Sequence, residues 1–195
     1  MMVNLRIAFC GTSSTGKTTL SKLVAERLQL PWIDEGLKNI RGEQSLAMPK
    51  FEEADLIQKI YWQKEVNRRR ISIERQHCSF VGDGSAVDML AWTKFWCGAT
   101  FDFNSMEELV VQLRNHIGCI YTHIFYLPFG KVPIEDDKRR IINFYTLEHV
   151  DALIAAECER IRRLGMAVHR VKATTPRERM DEVIRILFGC EKKRV

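Results

Sequence analysis

Residues 9–23 read FCGTSSTGKTTLSKL. Leu5 to Phe9, LRIAF, is an apolar run of strand length that leads into this stretch. Beyond it Leu20, Leu23, Val24 and Leu28 recur at helical spacing. The pattern predicts a buried strand, a tight turn, and a helix from Lys17 to Leu28 with one apolar face. Inside the turn, Gly11 to Thr18 (GTSSTGKT) satisfies G-x-x-x-x-G-K-[ST]. The glycines leave room for backbone N–H groups to turn inward around phosphate oxygens, and the helix N-terminus faces the same charge.

On that reading Gly11, Ser13, Ser14, Thr15, Gly16, Lys17, Thr18 and Thr19 cradle the phosphates. Lys17 reaches the outer ones as a point charge, and the Thr18 hydroxyl ligates magnesium. The implied ligand is a nucleoside triphosphate, most simply ATP with Mg2+. The strand before the loop and the helix after it are the context that separates this motif from a chance Gly/Ser-rich turn.

The rest of the chain is suited to carry such a site. Its 195 residues are 46% hydrophobic and 28% charged, a make-up that buries one sizeable core and excludes a disordered chain. We read one domain over residues 1–190 and a short basic tail, EKKRV, over 191–195. The net charge of +5 suits polyanionic small molecules, and without a dense basic stripe it does not favour nucleic acid. The six cysteines lie far apart with no CxxC pair, as reduced thiols do rather than zinc ligands or a disulfide framework. The apolar run in MMVNLRIAFCG is too short for a signal peptide or a membrane span, so a cytoplasmic protein without a membrane partner is expected.

Strands and helices alternate along the chain. LPWID gives a second strand ending at Asp34 and Glu35, followed by a long polar helix from about Phe51 to Arg75. CSFVGDG gives a third strand closing on Asp83, then a helix through VDMLAWTKFW and another near Met106 to His116. IYTHIFYL and AVHRV read as the fourth and fifth strands. A helix closed by Gly165 lies between them, and a last helix is entered through Pro176. Five short apolar strands separated by helices predict an α/β parallel sheet covered on both faces. Ligands bind such sheets at the carboxyl ends of the strands. Those ends carry the phosphate loop, Asp34, Glu35 and Asp83, so the chemistry converges on one edge.

No N-K-x-D motif for guanine is present, and the chain is shorter than a motor ATPase of this kind normally needs. A small kinase needs an acid beside the acceptor hydroxyl, a carboxylate organising magnesium, and a basic lid over the transferred phosphate. Asp34 or Glu35 fits the first role and Asp83 the second, with Asp88 a helical turn or so beyond. PIEDDKRRI, with Lys138, Arg139 and Arg140, fits the third. Trp92, Phe95 and Trp96 are expected to pack in the core rather than line an acceptor pocket.

GTSSTGKTTL, IDEGLK, DGSAVDMLAW and DDKRR, in that order, resemble the P-loop family that includes nicotinamide-riboside-kinase-like domains. More broadly the chain resembles nucleoside and nucleotide kinases. The resemblance implies a three-layer P-loop fold with a five-stranded parallel sheet in the order 2-3-1-4-5 and a helical lid. It implies that Lys17 and Thr18 hold triphosphate and magnesium, that Asp34 or Glu35 approaches the acceptor hydroxyl, and that Asp83 assists metal or substrate binding. Arg139 and Arg140 would close on the transferred phosphoryl group. KATTPRER resembles the adenine-side loop of such kinases, which places Thr174, Thr175 and Pro176 beside the base.

Two departures bear on the acceptor. Asp83-Gly84-Ser85 stands where relatives commonly read Asp-Arg-Ser, and Lys38 stands where Glu-x-x-Arg would put arginine after Glu35. Lysine cannot reproduce arginine's bidentate grip, and Arg41 is the nearest substitute. The expected function is ATP-dependent transfer of a phosphoryl group to a hydroxyl of a nucleoside, nucleotide or ribosyl compound. The competing expectation is a nucleotide-binding regulatory module, with slow or no hydrolysis, that recognises a partner or lipid. A kinase of nucleic-acid ends is a weaker third.

Overall fold

The structure, a computed structural model, describes residues 4–34, 55–98, 103–133 and 143–189. Along the chain run β1 (Arg6–Cys10), α1 (Lys17–Leu28), β2 (Trp32–Ile33), α2 (Leu56–Arg75), β3 (Phe80–Asp83) and α3 (Ala86–Cys97). They are followed by α4 (Phe103–Ile120), β4 (His123–Tyr126), α5 (Phe144–Arg163), β5 (Val168–Arg170) and α6 (Pro176–Phe188). The strands form one parallel sheet in the order β2-β3-β1-β4-β5, as expected.

Side chains along a strand alternate between faces, and β1, the central strand, shows how that builds three layers. Ile7 and Phe9 point into a core with Leu20 and Val24 of α1 and Val183 of α6. Ala8 and Cys10 point into a second core with Leu90 of α3, Leu113 and Ile117 of α4, and Val150 and Ile154 of α5. All four β1 residues are fully buried. Cys10 meets Cys158 of α5 with the sulfurs 3.5 Å apart. Burial, and then the neighbouring Cys158, push the Cys10 thiol well up, so it packs as a small apolar group.

Several element bounds differ from the sequence expectation by a residue or more. The long polar helix begins at Leu56, because the Asp55 side chain accepts from the Gln58 N–H while the Gln58 side chain accepts from the Asp55 N–H. α4 continues to Ile120 and takes the first residue of the expected fourth strand. Leu109, Leu113, Ile117 and Ile120 keep one buried helical face to that point, and β4 is left with His123–Tyr126. β2 has only two residues, so Asp34 stands one residue beyond the sheet.

A polar helix with a polar buried face was not expected. Gln63, Asn67, Arg70 and Glu74 recur on one stripe of α2, and all are buried. Elsewhere, Glu157 of α5 gathers Lys94 of α3, Arg114 of α4 and Arg160 of α5. Burial alone would raise its carboxyl, but the bonds from Arg114 and Arg160 and the Lys94 charge hold it at about 2. Trp92 and Phe95 pack on the rim of the α3 core, and Trp96 stacks on Trp92 with ring centroids 6.1 Å apart. Among the described residues no helix is long and apolar enough to cross a membrane.

Candidate active site

The turn between β1 and α1 has the shape its motif requires. Gly11 passes so close to the next loop that a Cβ there would lie 2.5 Å from the Leu127 carbonyl oxygen and 2.9 Å from Thr15 Oγ1. Gly16 caps α1 in the left-handed region, φ 83°, a conformation that glycine adopts without steric cost. Thr15 Oγ1 donates to the Thr12 carbonyl at 3.0 Å and fixes the loop from within. No side chain caps α1 and no acid lies in its first turn, so its N-terminal N–H groups keep their capacity for an anion. Lys17 is nearly buried, with Nζ donating to the carbonyls of Gly11 at 2.6 Å and Thr12 at 2.7 Å. The ammonium is thereby folded along the inside of its own loop.

Asp88 of α3 reaches the loop from the neighbouring strand connection. Its Oδ1 accepts the Gly11 N–H at 2.7 Å, and its Oδ2 accepts the Ser85 hydroxyl at 2.8 Å. Ser85 is the N-cap of α3 and accepts from the N–H groups of Val87 and Asp88. Charge-assisted bonds of this kind contribute about 1.5–3 kcal/mol. Asp88→Ala is therefore expected to weaken MgATP binding roughly tenfold or more by freeing the start of the loop. A fluorescence titration giving a dissociation constant within twofold of wild type would show that the loop holds its shape without Asp88.

Asp83 ends β3 in register with Phe9 of β1 and is buried. Asp34 follows β2 at the next strand end and is half-buried. Their main chains are joined by one side chain that sequence patterning did not single out, Arg70 of α2. Its Nη1 donates to the carbonyls of Asp34 at 2.8 Å and Asp83 at 2.9 Å, and its Nη2 donates to that of Gly84 at 2.8 Å. Its Nε meets Glu74 at 2.5 Å. Glu74 also accepts from His116 Nε2 at 2.6 Å and from the Tyr121 hydroxyl, which in turn accepts the Ala86 N–H. Burial alone would raise the Glu74 carboxyl, but Arg70 and His116 outweigh it and hold it below its usual range. The guanidinium is spent on main-chain carbonyls and Glu74, so it braces the acids and is not a substrate clamp.

On the other flank, Asp151 of α5 accepts the Tyr126 hydroxyl at 2.7 Å and the Phe129 N–H at 3.2 Å, which pins the chain leaving β4. Burial pushes the Asp151 carboxyl up, against the bonds from Tyr126 and Phe129. The segment after β5 lies against the phosphate loop through Arg179 of α6, whose Nη1 donates to the Thr15 carbonyl at 2.7 Å. Within that segment the Thr175 hydroxyl caps α6, accepting from the Glu178 N–H and donating to its carboxylate. Pro176 is the first helical residue and Thr174 is exposed.

Of the residues singled out from the sequence, the loop, Lys17, Thr18, Asp34 and Asp83 come together at the carboxyl ends of the adjacent strands β1, β3 and β2. Glu35, Lys38, Arg41, Lys138, Arg139 and Arg140 lie outside the described residues. For magnesium, the Thr18 hydroxyl and the Asp83 carboxylate are hard oxygen donors. They fit an ion that keeps several waters and relies on one or two carboxylates plus phosphate oxygens. Each oxygen of Asp88 already accepts one hydrogen bond, from the Gly11 N–H and the Ser85 hydroxyl.

Comparison with known proteins agrees with this geometry. The profile described as AAA domain matches residues 6–179. The cytidylate kinase 2 of Borreliella afzelii (strain PKo) is 21% identical over 151 residues, 74% of this chain and 79% of that protein. The deoxyadenosine kinase of M. mycoides, solved with dCMP and dCDP, superposes with a TM-score of 0.72 at 13% identity, covering 96% of this chain and 100% of that one. A NadR protein solved with NAD and AMP-PNP superposes with a TM-score of 0.64 at 15% identity over 98% of this chain. This chain spans 51% of the length of that protein. With a profile match over most of its length, the chain belongs to the AAA domain family, and its superposition on these structures and its sheet order are those of the P-loop kinase fold.

Proposed function

We propose that this protein is an ATP-dependent kinase that transfers the γ-phosphoryl group to a hydroxyl of a nucleoside, nucleotide or ribosyl compound. One observation carries the reading: a phosphate loop with an inward lysine stands beside two acids whose main chains a single guanidinium holds together. The kinase relatives, at low identity, support a small-molecule acceptor, and the AMP-PNP bound by NadR supports ATP as the donor.

In this reading the loop N–H groups and Lys17 hold the β- and γ-phosphates. Asp34 or Glu35 orients the acceptor hydroxyl and takes its proton. The acceptor oxygen forms a bond to the γ-phosphorus as the bond to the β,γ-bridging oxygen breaks, and ADP leaves. Magnesium, when held by Thr18 and Asp83, neutralises phosphate charge. Arg139 and Arg140 are the proposed source of further positive charge on the transferred group. Thr174, Thr175 and Pro176 are the proposed border of the base.

The test is ADP release from MgATP in the presence of nucleosides, nucleotides and nicotinamide riboside. Stimulation of at least tenfold by one compound is the expected result and names the acceptor class. Tight ATP binding with no stimulation by any compound would instead make the protein a nucleotide-binding regulatory module.

A further inference from the structure

We propose that Arg179 is a specificity-determining residue of the nucleotide site, a clamp that sets the distance between the phosphate-holding and base-holding halves. The inference rests on the reading above that Thr174, Thr175 and Pro176 border the base, in the segment that begins at Lys172. Nothing in the motif points to this arginine, which lies 164 positions from its partner Thr15.

The sheet order separates the two halves, because β4 lies between β1 and β5. The loops after β1 and β5 therefore share no ladder, and something else must hold them in register. α6 supplies it from a single turn of helix. Glu182 accepts the N–H groups of Lys172 at 3.0 Å and Ala173 at 2.9 Å. Arg179, three residues earlier on the same helix, takes the Ala173 carbonyl through Nε at 2.9 Å. The same guanidinium reaches across to the Thr15 carbonyl through Nη1. It sits so close to the loop that a Cβ on Gly16 would lie 3.0 Å from Nη1.

Two features indicate that the planar fork is needed for its geometry. Arg179 is 3% exposed, and its Nη2 is buried with no acceptor among the described residues. Burial also lowers its basicity. A side chain kept only to fill this gap would not carry an idle buried donor, which is a cost in itself. Spanning two carbonyls on separate loops at a fixed separation is what a guanidinium edge does and a lysine ammonium does not.

A clamp of this kind has a signature that a merely structural residue lacks. Ligands that use only the phosphate loop should not sense it, whereas ligands that use both halves should. The experiment is calorimetric titration of wild type, Arg179→Met and Arg179→Lys with MgATP and with magnesium tripolyphosphate, each protein checked for folding by its thermal transition. For both variants MgATP affinity is expected to fall about tenfold, with tripolyphosphate affinity unchanged within twofold. Arg179→Lys retains the charge and serves if the methionine variant does not fold. Glu182→Gln, which loosens residues 172–173 without touching Thr15, should move MgATP in the same direction by less. Equal losses for the two ligands would overturn the proposal, since Arg179 would then only support the phosphate loop. Unchanged affinity for both would overturn it as well. Wild type that binds tripolyphosphate but gains nothing from the nucleoside removes the base-side reading on which the proposal rests. Wild type that binds neither ligand removes the nucleotide site itself.

Discussion

Lys17→Ala is expected to cut acceptor-stimulated ADP release by about a hundred- to a thousandfold, the usual cost of one preorganised donor to a transferring phosphoryl group. The ammonium is nearly buried and already bound to two loop carbonyls, so its charge is placed before the phosphate arrives. Preplacement is where the catalytic gain comes from, since no reorganisation is needed as charge develops. The substitution also leaves the Gly11 and Thr12 carbonyls without their donor. Lys17→Met, which keeps the aliphatic stem, is the better measure of charge alone. Arg in its place should not restore turnover, because a planar fork does not fit a slot shaped for a point charge. A folded Lys17→Met protein with wild-type turnover would refute the assignment of the site.

The largest effect on stability is expected at Glu74. The carboxylate is fully buried, and Arg70 and His116 are paired to it. Glu74→Gln leaves the buried Arg70 guanidinium without its counter-charge, and breaking a buried pair in this way costs about 3–5 kcal/mol. Urea unfolding should show it as a lowered midpoint with an unchanged slope. The sign of the pH effect follows from the depressed carboxyl. A group whose folded pKa lies below its ordinary 4.5 contributes stability that is present above 4.5 and is lost as pH falls through the folded value. Wild type should therefore lose stability on acidification from about pH 4.5 downward, and Glu74→Gln should lose less over the same window. Glu157, held at about 2, leaves a remaining acid dependence in both proteins. A Glu74→Gln protein as stable as wild type would mean that Arg70 is satisfied by main-chain carbonyls alone.

What was legible in the sequence and what was not divides along a physical line. The phosphate loop is contiguous and its glycines and lysine have few other uses at that spacing, so eight residues announce it. The parallel sheet follows from the alternation of elements, and its strand order from the family resemblance. The braces do not announce themselves. Arg70 and Glu74 lie in RRRISIER, where an i,i+4 ion pair on a polar helix reads as a solvated face. Only the packing of α2 against α3 and α4 turns that face inward. Arg179 is one basic residue in the first turn of a helix, and its partner carbonyl carries no sequence signal at all. Asp88 is visible as an acid near the strand end, but its bond to Gly11 depends on how α3 leaves β3. The end of α4 was misplaced because Ile117 and Ile120 suit a strand and a helix equally, and three-dimensional burial decided for the helix.

The brief β2 has a consequence for how this molecule can change over generations. The phosphate loop is welded to the central strand, where most substitutions meet two cores at once. Asp34, by contrast, stands beyond a two-residue edge strand, its carbonyl held by an arginine from another helix. Drift that would wreck the phosphate loop can therefore accumulate on the Asp34 side, which the proposed reading assigns to the acceptor. If the chain is the kinase proposed above, descendants of one ancestor are free to trade the molecule they act upon while keeping the phosphate chemistry intact.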